Sequence, residues 1–292
     1  MNARLHDLLQ AGPVLTDGAW GTELQARGLA SGDFPDEWNL SHPDRVEEVA
    51  RAYVAAGSRV ILTNTFGSNR LRLAGHGLEA RVAELNRRGV EISRAAAAGA
   101  AAVFASVGPS GKMLLTGDTT PESLREAFEE QVRALAAGGP DALVIETMTD
   151  IEEAKIALSA AQTTGLPVVV CLVFDSGKDQ DRTLMGLTPE TVAAELTAAG
   201  AHVIGANCGL GIDGYIPVCR RLKAATDRPL WIKPNAGLPV VEHGRVVYRT
   251  TPAEFAAQVP PLVAAGASFI GGCCGTNPAF IQAVKAQLER RT

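Results

Sequence analysis

Three cysteines sit in glycine-rich settings, Cys208 in "GANCGLG" (205–211) and Cys273-Cys274 in "GGCCGTNP" (271–278). Neighbouring cysteines rarely bridge each other, because so small a ring strains the disulfide geometry. Such thiols either pack as small hydrophobes, as free cysteine commonly does, or bind a thiophilic cation. Three thiolates with an exchangeable fourth ligand would suit tetrahedral zinc (Zn2+) with one open position. Glycines 209, 271, 272 and 275 would let the backbone approach such an ion without side-chain crowding. No Cys-x-x-Cys pair is present, so spacing alone leaves both readings open. Cys171, inside "VVVCLVF", and Cys219, inside "IPVCRRL", read as core residues.

Two carboxylates form a second group. Asp17 precedes Gly18, where it can cap a tight turn, serve as acid or base, or receive an ammonium. Glu146 follows the apolar "LVI", and a carboxylate at the end of a buried strand needs a partner. Lys233, just before the end of "PLWIKPN", is an amine that could instead form a Schiff base. His42 and His76 fall in loop or helix-boundary sequence, His202 at the start of a strand and His243 in an "EHG" turn. No His-x-x-x-His pair occurs, which argues against a histidine-rich metal site.

The elements that must position these groups are eight short apolar runs: 14–17, 59–64, 101–107, 141–147, 166–174, 201–208, 229–235 and 267–274. Their nearly continuous hydrophobicity is the pattern of parallel strands covered on both faces. Helical segments alternate with them. Residues 44–57 end on Gly57, residues 121–139 begin with proline, and 188–200 and 251–266 both open on Thr-Pro with a glutamate in the first turn. Pro260-Pro261 should kink or restart the last of these. Eight such units in 292 residues, with no linker between them, predict one domain over 1–292: a single (β/α)8 TIM barrel. An open doubly wound sheet is disfavoured because no Gly-x-Gly-x-x-Gly follows the first run. In a barrel the active site forms at the C-terminal ends of the strands, and Asp17, Glu146, Cys208, Asn235 and Cys273-Cys274 all fall there.

Composition excludes other classes. Net charge is −5 without a basic tract, so no nucleic-acid footprint exists. "MNARLHDLLQ" lacks a signal-peptide core, and no apolar run reaches membrane-spanning length, giving the expectation of a soluble, cytoplasmic protein with no membrane partner. Five cysteines in that compartment are not a disulfide framework.

Taken together, "DGAWGTELQARG" (17–28), "ILTNTFGSNRLRL" (61–73), "SVGPSGK" (106–112), "LVIETMTDIEEAKIAL" (143–158), "GANCGLG", "KPNAGLP" (233–239) and "GGCCGTNP" resemble the homocysteine S-methyltransferase family. Within it the sequence is most similar to the homocysteine-binding barrel module of the cobalamin-dependent methionine synthases. The resemblance spans nearly the whole chain. It implies a zinc ion on Cys208, Cys273 and Cys274, with homocysteine bound through its sulfur and methylated to methionine. A free thiol is mostly protonated at neutral pH, whereas a coordinated one loses its proton, so no histidine base would be required. The resemblance further implies that Asp17 and Glu146 hold the substrate ammonium. It assigns the substrate carboxylate to backbone donors near Gly18 and around Ser106, Val107 and Gly108. Asn235 would be a fourth metal ligand before substrate arrives, with Asn207 beside it; turn chemistry is the plainer reading of both asparagines.

The methyl donor is less constrained. The betaine branch carries a tyrosine after the glutamate of its "ET" motif and an aromatic after "TF"; here these positions are Thr147 and Gly67. Trp20 and Trp38 read as packing residues. "TNTF" and "KPNAGLP" favour the methionine-synthase branch, so the first expectation is a methylcorrinoid donor, with methylcobalamin carried by a separate protein and the barrel mouth left open for docking. Betaine or S-methylmethionine as donor, or a non-catalytic homocysteine-binding subunit, are the alternatives.

Overall fold

The computed structural model describes residues 3–242 and 245–290; His243 of the "EHG" turn lies outside them. The eight expected strands are β1 (Val14–Leu15), β2 (Val60–Ile61), β3 (Ala102–Val107), β4 (Ala142–Met148), β5 (Val168–Leu172), β6 (Val203–Gly211), β7 (Leu230–Asn235) and β10 (Ala267–Ile270). They form one sheet in the order β1-β10-β7-β6-β5-β4-β3-β2, and every pairing in it is parallel. The order follows the chain around a (β/α)8 barrel, with helices between the strands. At the remaining seam, between the two-residue strands β1 and β2, Arg59 N donates to Leu15 O (2.8 Å) and Leu62 N to the Asp17 carboxylate (2.7 Å). The side chain of Asp17 thus continues the ladder where backbone partners run out.

Inside the barrel, alternate strand residues such as Val60, Val144, Val169, Cys171 and Val203 form a buried cluster with the rings of Phe104, Trp231 and Phe269. Leu5, from the helix Ala3–Leu9, belongs to the same cluster and plugs one end. The larger core lies between strands and helices. Cys171 and Cys219 are buried core residues, as expected, and burial pushes the Cys219 thiol up to about 12.

The helix signals act as read. Thr120, Thr188 and Thr251 each accept a hydrogen bond from a first-turn backbone N–H, and each is followed by proline. Gly57 ends the helix Pro43–Ala56 in the left-handed region (φ 103°). Pro260-Pro261 forces a restart: Pro252–Ala257 and Val259–Ala264 are separate helices. One element escaped the sequence reading, an antiparallel pair β8 (Val240–Glu242) and β9 (Arg245–Val247) inserted after β7.

Candidate metal centre and substrate pocket

Cys208 occupies an irregular stretch of β6. Asn207 pairs with Lys233 of β7 and Gly211 with Asn235, so four residues of advance on β6 match two on β7. The excess is taken up by Cys208 (φ 64°) and Gly209 (φ 60°), both left-handed. A bulge of this kind re-aims a side chain, and for a residue with a Cβ the conformation costs strain that the surrounding contacts must hold. Cys273 and Cys274 follow β10 on a pinned turn. Gly272 N donates to Asp17 O (3.0 Å), Cys273 N to Pro234 O (2.7 Å) and Ala236 N to Cys274 O (2.9 Å).

These supports bring together three thiols from two strand ends. The Cys274 Sγ lies 3.9 Å from Cys208 Sγ and 4.0 Å from Cys273 Sγ, and all three sulfurs fall within 4.8 Å of one another. Zinc–sulfur bonds of about 2.3 Å at tetrahedral angles put sulfurs roughly 3.8 Å apart, so the two edges that meet at Cys274 are already close to those of a zinc site. Asn235 is buried beside it; its Nδ2 donates to Gly209 O (3.1 Å), while its Oδ1 has no partner among the described residues. An orphaned buried carbonyl is costly, and here it matches the missing fourth donor. The donor set therefore fits zinc.

Without a cation the three thiols share one negative charge. Hydrogen bonds from Cys273 and Cys274 hold Cys208 at about 3. The same bonding to Cys208, together with burial, pushes Cys273 well above the usual thiol range and Cys274 to about 11. Near pH 7.5 the metal-free triad thus carries two protons that a divalent ion must displace. Titrating zinc into chelator-stripped protein in buffers of different ionisation enthalpy should therefore release about two protons per ion. Release of fewer than one would show that the three thiols do not all ligate.

Glu146 lies near the C-terminal end of β4, beside this centre. Its Oε1 accepts from Ser106 Oγ (2.5 Å) and its Oε2 from Asn207 Nδ2 (3.3 Å). Burial, opposed by the nearby Lys233 ammonium and by Ser106, raises its pKa. Asn207 also donates to Thr147 Oγ1 (2.7 Å), approaches Cys273 Sγ (4.0 Å), and accepts from Thr147 N (2.8 Å). That bonding fixes the β-branched Thr147 at φ 61°, a second strained residue at the site.

Glu146, Ser106, Gly18, Lys233 and the three cysteines line one cavity of about 520 Å³ at the C-terminal mouth of the barrel. Asp17 does not reach its wall. Its side chain is fully buried; Oδ2 accepts from Trp20 Nε1 (2.8 Å) and Leu62 N, and Oδ1 from Lys233 Nζ (2.5 Å). Val107 and Gly108 also lie behind the wall. The backbone donors of the third strand are engaged: Ser106 N donates to Thr63 Oγ1 (3.0 Å) and Gly108 N to Phe66 O (2.8 Å).

The Lys233–Asp17 pair carried no signal in the sequence beyond the lysine itself. Burial would strip the Lys233 proton, but the Asp17 and Glu146 carboxylates outweigh it and raise the pKa, so the amine stays an ammonium rather than the free base a Schiff-base lysine needs. The outer wall was also missed. Phe34 stacks on His76 (4.3 Å between centroids), its ring fills the space a Cβ on Gly67 would enter, and the Arg72 guanidinium lies 5.5 Å from the Phe66 ring. Trp20 lines the cavity, whereas Trp38 packs in the core as expected.

Similarity to known proteins agrees with this geometry. The family model described as homocysteine S-methyltransferase matches residues 14–288. The methionine synthase of Mycobacterium tuberculosis is 32% identical over 97% of this chain, and the chain spans about a quarter (25%) of that protein's length. Among solved structures, the homocysteine methyltransferase MmuM from Escherichia coli superposes with a TM-score of 0.83 at 28% identity in its oxidized form, over 98% of this chain and all (100%) of the other. Its metallated form gives 0.82 at 26% identity over 98% and 99% of the two chains. A barrel that gathers three cysteines from its sixth and eighth strands, matched along nearly its whole length by that model and those proteins, belongs to the homocysteine S-methyltransferase family.

Proposed function

We propose that this chain is a zinc-dependent methyltransferase that converts homocysteine to methionine. The observation that carries the reading is the sulfur triad, with all three thiols within 4.8 Å of one another, opening into the cavity that Glu146 also lines. Cys208, Cys273 and Cys274 would hold the metal, with Asn235 Oδ1 as the ligand that yields to substrate. When bound, zinc supplies the positive charge that lowers the pKa of an incoming thiol to below neutrality. Glu146, fixed by Ser106 and Asn207, receives the substrate ammonium and so aims the sulfur chain at the triad. The cavity wall excludes water while the sulfur gains a methyl group and the donor loses it. Three free thiols need a reducing setting, which fits a cytoplasmic protein.

For the donor, likeness to the methionine synthases supports a methylcorrinoid carried on another polypeptide. A second reading has its own support: Trp20, Phe34 and Phe66 line the outer cavity, and ring faces attract a sulfonium or quaternary ammonium such as S-methylmethionine or betaine. Zinc-loaded protein should form methionine from homocysteine with at least one of three donors supplied separately: a methylated corrinoid protein, S-methylmethionine or betaine. Binding of zinc and homocysteine without methionine from any of them would replace the enzyme with a homocysteine-binding subunit.

A further inference from the structure

Lys233 is a buried cationic side chain that lines the cavity beside Cys273, whereas the other cavity-lining cation among the described residues with a permanent charge, Arg72, lies against the Phe66 ring. The side chain is only 3% exposed, and it lines the cavity together with Glu146 and Cys273. An ammonium offers three N–H donors; among the described residues Nζ donates to Asp17 alone. Asp17 is itself held from behind by Trp20 Nε1 and Leu62 N, so the lysine head has a fixed position. Glu146 lines the same cavity as the opposite charge, and among the described residues no hydrogen bond joins it to Lys233. A cation and an anion set apart on one surface complement a zwitterion, the form an α-amino acid takes at neutral pH.

The third strand, for its part, offers the carboxylate of that zwitterion no free amide at Ser106 or Gly108. The amides of Ser106 and Gly108 are spent on Thr63 and Phe66, and Val107 pairs with Ile145 inside the sheet. Asp17, fully buried and triply bonded, cannot serve the ammonium without giving up Lys233.

We infer that Lys233 binds the α-carboxylate of the thiol substrate, with Asp17 as the residue that positions it rather than a contact to the substrate. The inference rests on homocysteine being the acceptor, and it divides the zwitterion between Lys233 and Glu146. Acceptor selectivity then depends on the carboxylate as much as on the amine: a thiol that keeps the acid and lacks the amine remains a ligand, while one that keeps only the amine loses a charged contact.

The test is equilibrium binding to the zinc-loaded protein of three thiols of equal chain length: homocysteine, 4-sulfanylbutanoate, which lacks the amine, and 3-aminopropane-1-thiol, which lacks the carboxylate. Wild-type protein should bind 3-aminopropane-1-thiol about tenfold or more weakly than homocysteine, the worth of one charge-assisted hydrogen bond. Lys233→Met should weaken homocysteine and 4-sulfanylbutanoate by a similar factor and leave 3-aminopropane-1-thiol within about threefold, closing the gap. A merely structural lysine would lower all three together, and that result, or a wild-type gap below about threefold, overturns the inference. Because Lys233→Met strands the Asp17 charge, the double variant Asp17→Asn, Lys233→Met removes the pair as a unit and should show the same selective loss. Failure of wild-type protein to bind homocysteine at all would instead count against the proposed function.

Discussion

Serine in place of Cys208, Cys273 or Cys274 is expected to empty the metal site in each case while leaving the barrel folded. On the proposed reading the three sulfurs would supply three of four ligands, and zinc bound through a full set of four is worth about 10–16 kcal/mol, so one ligand would account for roughly 3 kcal/mol and two orders of magnitude in affinity. A serine hydroxyl does not replace it, because the hydroxyl keeps its proton and is a harder donor than a thiolate. Methionine formation should fall with zinc occupancy, by about a thousandfold or more at limiting zinc, since a metal-free site must use a protonated thiol. Stability should change little, because the fold is carried by an extensive core between strands and helices and not by the metal. The contrast with Asn235→Ala separates permanent from exchangeable ligands: that variant should lose affinity only when homocysteine is absent. Zinc content after dialysis against a chelator, read beside a thermal melt, decides the matter. Full zinc retention in any one cysteine variant removes that residue from the site.

The residues that make this centre differ in how visible they were. The strands were legible because parallel strands buried on both faces read as continuous apolar runs, and the helices because Thr-Pro starts and glycine stops are local chemistry. Cys208, Cys273 and Cys274 could be placed at one mouth as soon as the strands were counted around a barrel. Their aim was not legible, since it comes from a bulge against β7 and from left-handed conformations that cysteine and threonine adopt only under tertiary constraint. The same holds for Asp17, whose partner lies 216 residues away in sequence. A local reading offered a turn cap, and the family resemblance offered an ammonium ligand. The structure shows a carboxylate that completes the β1–β2 seam and anchors a lysine. The pair β8–β9 was passed over because its strands are only three residues each and lie in a loop between two barrel strands.

Gly271→Ala should be a severely damaging single methyl although it touches no ligand atom. A Cβ there would stand 2.0 Å from Thr16 Oγ1 and 2.4 Å from Asp17 O. The first contact could be relieved by a rotamer change, but the second is backbone. That carbonyl cannot retreat freely, because it already accepts from Gly272 N, and Gly271 N donates to Ile232 O on the other flank. The chain after β10 is therefore held between β1 and β7, and inserting a methyl must pry one strand away. Overpacking that forces backbone movement costs about 3 kcal/mol or more, here at a seam where β1 contributes only two ladder residues. In a protein of this size the expected fall in melting temperature is about 6 to 12 °C. The displacement also moves the turn bearing Cys273 and Cys274, so zinc affinity should drop with stability although every ligand is intact. Two alanine variants calibrate the effect. The three atoms nearest a Cβ on Gly272 all belong to the Thr276 side chain rather than to backbone, so Gly272→Ala should cost less; Gly21→Ala meets nothing within 4 Å and should be neutral. A Gly271→Ala protein that melts within a degree or two of wild type and keeps its zinc would show that the approach of β1 to β10 is looser than these distances require.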